Sequence, residues 1–325
     1  MKRNRTLDTS LCIHCKKCTE NCLFLTKYNL DFGDSKQIND LAYHCYLCGK
    51  CTEVCPVGID GREVILRARQ KAVRKNKGKI KGYHFLRLEK QNYIFKNYKR
   101  AKGKIILFPG CNFPAFYPET TKCLYTFLKS HFKIGIAYDC CGKPIAELGL
   151  EKEANEIIAR QNRYYKENNI AEIVVLCPNC YYYLSPLLEV KVTSIYEKLH
   201  EIGFKGTIKE DIFNLFIPCP DKESLKWKKE ILPFLDGEVK DISGIQCCGV
   251  GGCAHLTEPE LSKTLLENLK KKSLENVYTY CGTCGGNISR SGAKEVHHLL
   301  PELLKTREVA DIKHSLVNRI KTKYK

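Results

Sequence analysis

No apolar run in this sequence approaches the roughly 18 residues needed to cross a bilayer. The N-terminal stretch MKRNRTLDTS is basic but has no apolar segment behind it, which argues against a secretory signal. No G-x-G-x-x-G opens a helix, so a flavin or nicotinamide site is not recognisable, and no DNA- or RNA-binding motif is present. Cysteine, in contrast, is abundant, with 20 in 325 residues. Without export, disulfides explain that number poorly, because the cytosol keeps thiols reduced. Metal ligation explains it better, and the expected location is cytoplasmic.

The length accommodates two or three domains with a sizeable core, and 43% apolar residues is ordinary for a soluble chain. The net charge is +18. Arg62 to Lys104 hold sixteen Lys or Arg against Glu63 and Glu89, which is +14 of that total. Such a run reads first as a solvated linker with helical pieces, and second as a docking strip for an acidic partner or an anionic membrane surface. Nucleic acid is not the expected partner. Bound clusters also lower the sum, since a cubane with four thiolates carries roughly −2.

Eighteen of the cysteines form four ordered sets. Cys12, Cys15, Cys18 and Cys22 follow C-x2-C-x2-C-x3-C, and Cys45, Cys48, Cys51 and Cys55 repeat it with Pro56 behind. This is the spacing of two-cluster bacterial ferredoxins. Three cysteines three residues apart can wrap the corners of one cube, while the fourth reaches the other. The expected ligand sets are therefore Cys12, Cys15, Cys18 with Cys55, and Cys45, Cys48, Cys51 with Cys22, each holding a cubane [4Fe-4S] cluster. Leu23 replaces the usual proline after Cys22, but that proline shapes a turn and is no ligand. Gly61 to Lys75 reads as a helix from Val64, Ile65, Ala68 and Ala72.

The remaining sets repeat at a near-constant offset, which marks an internal duplication. Cys111, Cys140, Cys141, Cys177 and Cys180 correspond to Cys219, Cys247, Cys248, Cys281 and Cys284. Short apolar runs (Ile105–Phe108, Leu215–Ile217, Ile173–Leu176, Val277–Tyr280) precede the cysteines, and helical patterns at Glu151–Asn168 and Glu258–Asn276 precede the C-x-x-C pairs. Alternating strand and helix predicts two small α/β lobes with parallel strands and sites at their carboxyl ends. Adjacent cysteines cannot both meet one corner of a small cube, so they suit a larger cluster or bridging thiolates. Gly142 and Gly249 allow a tight turn there, and Gly251 and Gly252 a close approach. A C-x-x-C at a helix start gains from the helix dipole, which favours thiolate.

FPGC at Phe108–Cys111, CCG at Cys140–Gly142, CPNC at Cys177–Cys180, CCGVGG at Cys247–Gly252 and CGTC at Cys281–Cys284 resemble the CCG domains of heterodisulfide reductases. A ferredoxin module fused to two such domains is similar to the catalytic subunit of the membrane-linked members of that family. It is also similar to iron–sulfur subunits of glycolate oxidase, lactate-utilisation and anaerobic glycerol-3-phosphate dehydrogenase complexes. The resemblance implies an α+β chain. Its parts are a mainly helical two-cluster ferredoxin domain (1–75), a basic linker (76–104), a first CCG lobe (105–212), and a second CCG lobe with a basic C-terminal helix (213–325). It implies one or two noncubane [4Fe-4S] clusters on the ten CCG cysteines, with a disulfide substrate cleaved between them. The expected partners are a flavoprotein or other redox subunit and a membrane-anchor subunit that brings the chain to the inner face of the membrane. The competing reading is a pure relay between a flavin dehydrogenase and a quinone or other carrier. The second copy departs from the pattern at IPCPDK around Cys219 and at Gly282 after Cys281.

Four features have no assigned chemistry. Cys123, in a predicted helix Thr120–Phe132, is expected to be a buried small hydrophobe. Cys253 and His255 share the CCGVGG loop. Tyr181–Tyr183 read as a packing face. Asp311–Lys325 read as a basic amphipathic helix on a solvated surface.

Overall fold

Helix Gly61–Lys75 spans the limits predicted for it. Asp60 caps its first turn by accepting from the Glu63 N–H, while Arg74 and Lys75 meet the negative end of its dipole. It buries Ile65, Ala68 and Val73. The structure, a computed structural model, describes residues 5–293 and 295–324. Residues 1–4 of the expected ferredoxin-type domain, and 294 and 325 of the second CCG lobe and its basic tail, lie outside the described residues.

The chain separates into two compact units. The first comprises 1–87 together with 144–153 and 244–271. It is helical, and its core gathers Phe24, Leu25, Phe32, Ile38, Ile59 and Ile65 around Cys18, Cys22, Cys45 and Cys51. Arg69 ties its three segments together. The guanidinium is fully buried and donates to the carbonyls of Ala42 (3.0 Å), Cys45 (2.7 Å), Glu147 (2.7 Å) and Gly252 (2.7 Å). Its charge also lies 5.0 Å over the Tyr43 ring. A residue of the basic run that sequence patterning assigns to solvent is thus a central tie of this unit. The reason is geometric: only a planar fork with five donors reaches four carbonyls at once.

The second unit comprises 88–143, 154–243 and 272–325 and carries two sheets. The strands of the first are β1 (Asn97–Arg100), β2 (Ile105–Phe108), β3 (Ile134–Tyr138), β4 (Glu172–Val175) and β5 (Lys191–Ser194), in the order β1-β3-β2-β4-β5. Those of the second are β6 (Ile208–Leu215), β7 (Leu235–Asp241), β8 (Val277–Thr279) and β9 (Val296–His298), in the order β7-β6-β8-β9. All pairings are parallel except β1 with β3. With β1 set aside, the two sheets have the same strand order, so the duplication legible in the cysteines is also a duplication of topology. Strands β3 and β4 are buried throughout, as parallel strands covered on both faces must be. Helices Pro118–His131 and Glu151–Glu167 form near their expected limits, whereas the predicted Glu258–Asn276 helix is shorter, Pro259–Lys270. Cys123 is exposed on its helix, contrary to expectation, because Thr120, Thr121, Leu124 and Leu128 form the buried stripe.

Helix Ser315–Tyr324 closes the unit. Asn318 donates to the Ala115 carbonyl (3.1 Å), and Asn97 donates to the Thr322 carbonyl (2.9 Å). The basic tail is therefore docked against residues 113–116, which follow Cys111, and is not a free surface helix.

Arg69→Met should lower unfolding free energy by roughly 3 kcal/mol or more, because it strands buried carbonyls that had a charged donor. Denaturant melts check this, and a loss under about 1 kcal/mol would show that water replaces the guanidinium without penalty.

Candidate metal centres

In the first unit, Cys12, Cys15, Cys18 and Cys55 line one pocket together with Ile13, Phe32, Val57 and Ile59. Two left-handed residues, His14 and Lys16, let the chain wrap this pocket between its cysteines. Asp31 stands at its wall. Burial opposes its charge, but Lys16 (2.8 Å), the Gly33 N–H (2.9 Å) and His14 (3.1 Å) outweigh that and hold its carboxyl at about 2.

Cys22, Cys45 and Cys51 are buried, with Cys48 half-buried. Burial pushes the thiols of Cys22 and Cys51 well up, and the charges of Cys45 and Cys48 push the same way. Burial also raises Cys45, to about 11. Such thiols ionise only if a positive centre stands among them, which iron supplies, so the donor set fits a thiolate-bound cluster. The Gln246 side-chain amide lies 3.5 Å from both Cys22 Sγ and Cys48 Sγ, and its Oε1 accepts from the Leu23 N–H (2.9 Å). Gln246 immediately precedes Cys247, so the second CCG loop is pinned to the cysteines of the ferredoxin module. The loop also presses on their backbone. Gly252 has φ +60°, and a Cβ there would lie 2.6 Å from the Cys45 carbonyl, so no side chain fits. Cys253 is buried and also left-handed, at φ 58°. Beyond the loop, the buried Glu258 receives Lys27, His44 and Tyr28, each at 2.7 Å.

In the second unit, the cysteines stand just past the carboxyl ends of parallel strands: Cys111 after β2, Cys140 and Cys141 after β3, Cys177 after β4, Cys219 after β6, and Cys281 after β8. Cys177 and Cys281 are the N-caps of helices Pro178–Leu184 and Gly282–Arg290, with closely matching backbones (φ −128°, ψ 124° and φ −122°, ψ 116°). Neighbouring thiols shift one another's ionisation in sequence: Cys111 and Cys140, Cys140 and Cys141, Cys141 and Cys180, Cys180 and Cys177, Cys177 and Cys281, and Cys281 and Cys284. Bonds from Cys140 and Cys180 pull Cys141 down to about 5, and bonds from Cys177 and Cys284 pull Cys281 down. The Asn179 amide, inside CPNC, lies 3.7 Å from Cys281 Sγ. The structure therefore brings all five cysteines of the first copy together in one unit and links them to the C-x-x-C pair of the second. Cys219 shares that unit, whereas Cys247 and Cys248 belong to the first.

Charged residues that sequence reasoning missed surround the first pentad. Lys90 is 5% exposed, lies 4.9 Å over the Tyr93 ring and 2.8 Å from Glu89. Burial opposes its charge, yet Cys111, Cys140 and Glu89 hold its pKa above the ordinary value. Arg319 donates to Glu89 (3.0 Å) and to Asn112 Oδ1 (2.8 Å). Cys111 is pushed up by its bond with Cys140 and by burial, while Lys90 and Arg319 pull it down. Lys90 was hidden among the sixteen cations of the basic run, and Arg319 in the tail. No local pattern distinguishes them, although Gln246 beside CCG and Asn179 within CPNC had a signal in their position.

Residues 11–59 match the 4Fe-4S dicluster domain, and residues 105–185 and 214–289 match the CCG cysteine-rich domain. The chain is similar to one of the subunits of the fumarate reductase (CoM/CoB) of Methanothermobacter marburgensis, at 23% identity over 87% of this chain and 68% of that protein. It is similar to an uncharacterized iron-sulfur protein of Methanococcus maripaludis (27% identity, 80% of this chain, 59% of that one) and another of Methanocaldococcus jannaschii (26%, 77% and 57%). The chain thus spans between about half and two thirds of these relatives' length. Among the described residues, no helix is long and apolar enough to cross a membrane.

Burial opposes the charge of Glu258, but Lys27, His44 and Tyr28 lower its pKa below 4.5. A depressed carboxyl stabilises the fold fully above its unfolded value and loses that contribution as pH falls through the folded one. Lys27 is 44% exposed, so screening limits the effect. Glu258→Gln should cost about 1 kcal/mol at neutral pH. The gap between parent and variant should shrink below pH 4.5. Urea melts at the two pH values measure it, and a gap that widens in acid contradicts the assignment.

Proposed function

The chain belongs to the iron–sulfur proteins that join a 4Fe-4S dicluster domain to CCG cysteine-rich domains, as heterodisulfide reductase-like subunits do, and from that membership we propose that it passes electrons through two cubane clusters to noncubane clusters that reduce a disulfide. On this reading Cys12, Cys15, Cys18 and Cys55 hold one cubane, and Cys45, Cys48, Cys51 and Cys22 the other. Cys111, Cys140, Cys141, Cys177 and Cys180 hold one noncubane cluster, and Cys219, Cys247, Cys248, Cys281 and Cys284 the second. The observation that carries the reading is the placement of Cys111, Cys140, Cys141, Cys177, Cys219 and Cys281 just past the carboxyl ends of the parallel strands of one unit. Bound clusters supply one-electron storage.

The protein's own groups do the rest. Helix starts at Cys177 and Cys281 favour thiolates there. The Asn179 and Gln246 amides donate toward sulfur, which makes a more negative cluster easier to hold. Gln246 also sets Cys247, the next residue, beside the cysteines of the ferredoxin module. Reduction of R–S–S–R′ breaks one S–S bond with two electrons and two protons, giving RSH and R′SH. The electrons come one at a time from a partner's redox centre, and a flavoprotein is the class that splits a two-electron donor in that way. A membrane-anchor subunit is the further partner proposed. The Methanothermobacter relative is named a fumarate reductase (CoM/CoB) subunit; because fumarate reduction consumes two electrons, the thiol end of such an activity would be the same reaction run in the oxidising direction, RSH and R′SH giving R–S–S–R′, two electrons and two protons.

Two experiments test this. In anaerobically reconstituted protein, Cys55→Ser and Cys22→Ser should each weaken a different cubane EPR signal, and a shared loss contradicts the crossed ligand sets. Chemically reduced holo-protein should release two thiols per disulfide consumed, with substrate-dependent changes in the signal that Cys140→Ser removes. If no thiol appears, yet the protein carries electrons from a flavin dehydrogenase to a quinone, the relay reading replaces this one.

A further inference from the structure

Lys90 and Arg319 come from opposite ends of the second unit's sequence and meet at Glu89. Lys90 is buried over Tyr93, which packs with Phe95, Cys140 and Cys111. Arg319 reaches Asn112, whose Oδ1 lies 3.7 Å from Cys111 Sγ, and it is held there by the docking of its helix through Asn318 and Thr322. At Glu89, two cations against one carboxylate leave a local surplus of about +1, while the other carboxylate beside the pentad, the buried Asp139, is taken up by the Cys140 N–H (2.7 Å) and the Tyr98 hydroxyl (2.7 Å). A net charge enclosed this way is costly unless an anion stands opposite it. Cys111 and Cys140 pack with Tyr93 beside this surplus, and each electron added to iron bound there would add one more negative charge.

We propose that Lys90 and Arg319 are positioning residues for the cofactor of the first pentad, a buried cationic wall against Cys111 and Cys140 that raises its reduction potential above that of the cubanes. This rests on the reading that the pentad holds a cluster. The docked C-terminal helix then has a redox role: it delivers Arg319, and through it the electron sink lies at the first pentad. The added electron comes from the cubanes, themselves filled by the partner's redox centre, and no bond is made or broken in that step.

The test is an EPR-monitored potentiometric titration of the full chain, reconstituted anaerobically. The first-pentad signal is identified as the one lost in Cys140→Ser. Its midpoint should fall in Lys90→Gln and in Arg319→Gln, stay near the parent value in Lys90→Arg, and leave the cubane midpoints unmoved in all three. Should Lys90→Gln fail to fold, Arg319→Gln decides alone, since that side chain is 20% exposed and its loss leaves Glu89 paired with Lys90. A loaded first-pentad signal whose midpoint does not move overturns the proposal, as does an equal shift of the cubanes. A parent protein with no signal sensitive to Cys140→Ser overturns instead the reading on which it rests.

Discussion

A buried thiolate is stable only where something answers its charge, and this chain buries clustered thiols in both units. Burial alone drives Cys22, Cys45 and Cys51 toward the neutral form. Around each sulfur group the structure therefore collects what favours negative charge: helix starts at Cys177 and Cys281, amides from Gln246 and Asn179, and the cations Lys90 and Arg319. Iron completes that set.

The duplication is more than a repeated cysteine pattern. Strands β3-β2-β4-β5 and β7-β6-β8-β9 follow one plan, and the two C-x-x-C caps agree in backbone angles within about ten degrees. Parallel strands send all their carboxyl ends to one edge, so the first copy gathers its cysteines there as a consequence of topology, and Cys219 and Cys281 of the second copy follow their strands in the same way. The copies then diverge. Gly252 and Gln246 draw the second loop onto the ferredoxin module, while the corresponding loop of the first copy stays with its own sheet, where Gln161 binds the Cys140 carbonyl. Two equal sites have in this way acquired unequal neighbours.

Whatever depends on neighbours within a few residues was legible from the chain alone. The ferredoxin spacing, the helix Gly61–Lys75, strand β2 at Ile105–Phe108 and the helix starts at the C-x-x-C pairs all depend on local geometry. Cys12, Cys15, Cys18 and Cys55 line one pocket, and only folding brings Cys55 to the first three. What depends on distant partners was not legible. Charge patterning treats Arg69 and Lys90 like the other fourteen cations of their run, because patterning counts charges and cannot see which face a carbonyl or a thiol. The same limit made Cys123 look buried and the C-terminal helix look free.

The sequence by itself determined the modules and their order: a 4Fe-4S dicluster domain and then a CCG cysteine-rich pattern made twice. Cysteine spacing does this because a cluster's size sets how far apart along the chain its ligands can stand. Tertiary structure decided which groups answer those thiolates. It carried the second CCG loop to the ferredoxin module, set Arg69 across three segments of chain, and brought Arg319 more than two hundred residues back to the neighbour of Cys111. Electrostatic partners act through space and leave no periodicity in the chain, so only the folded protein could reveal them.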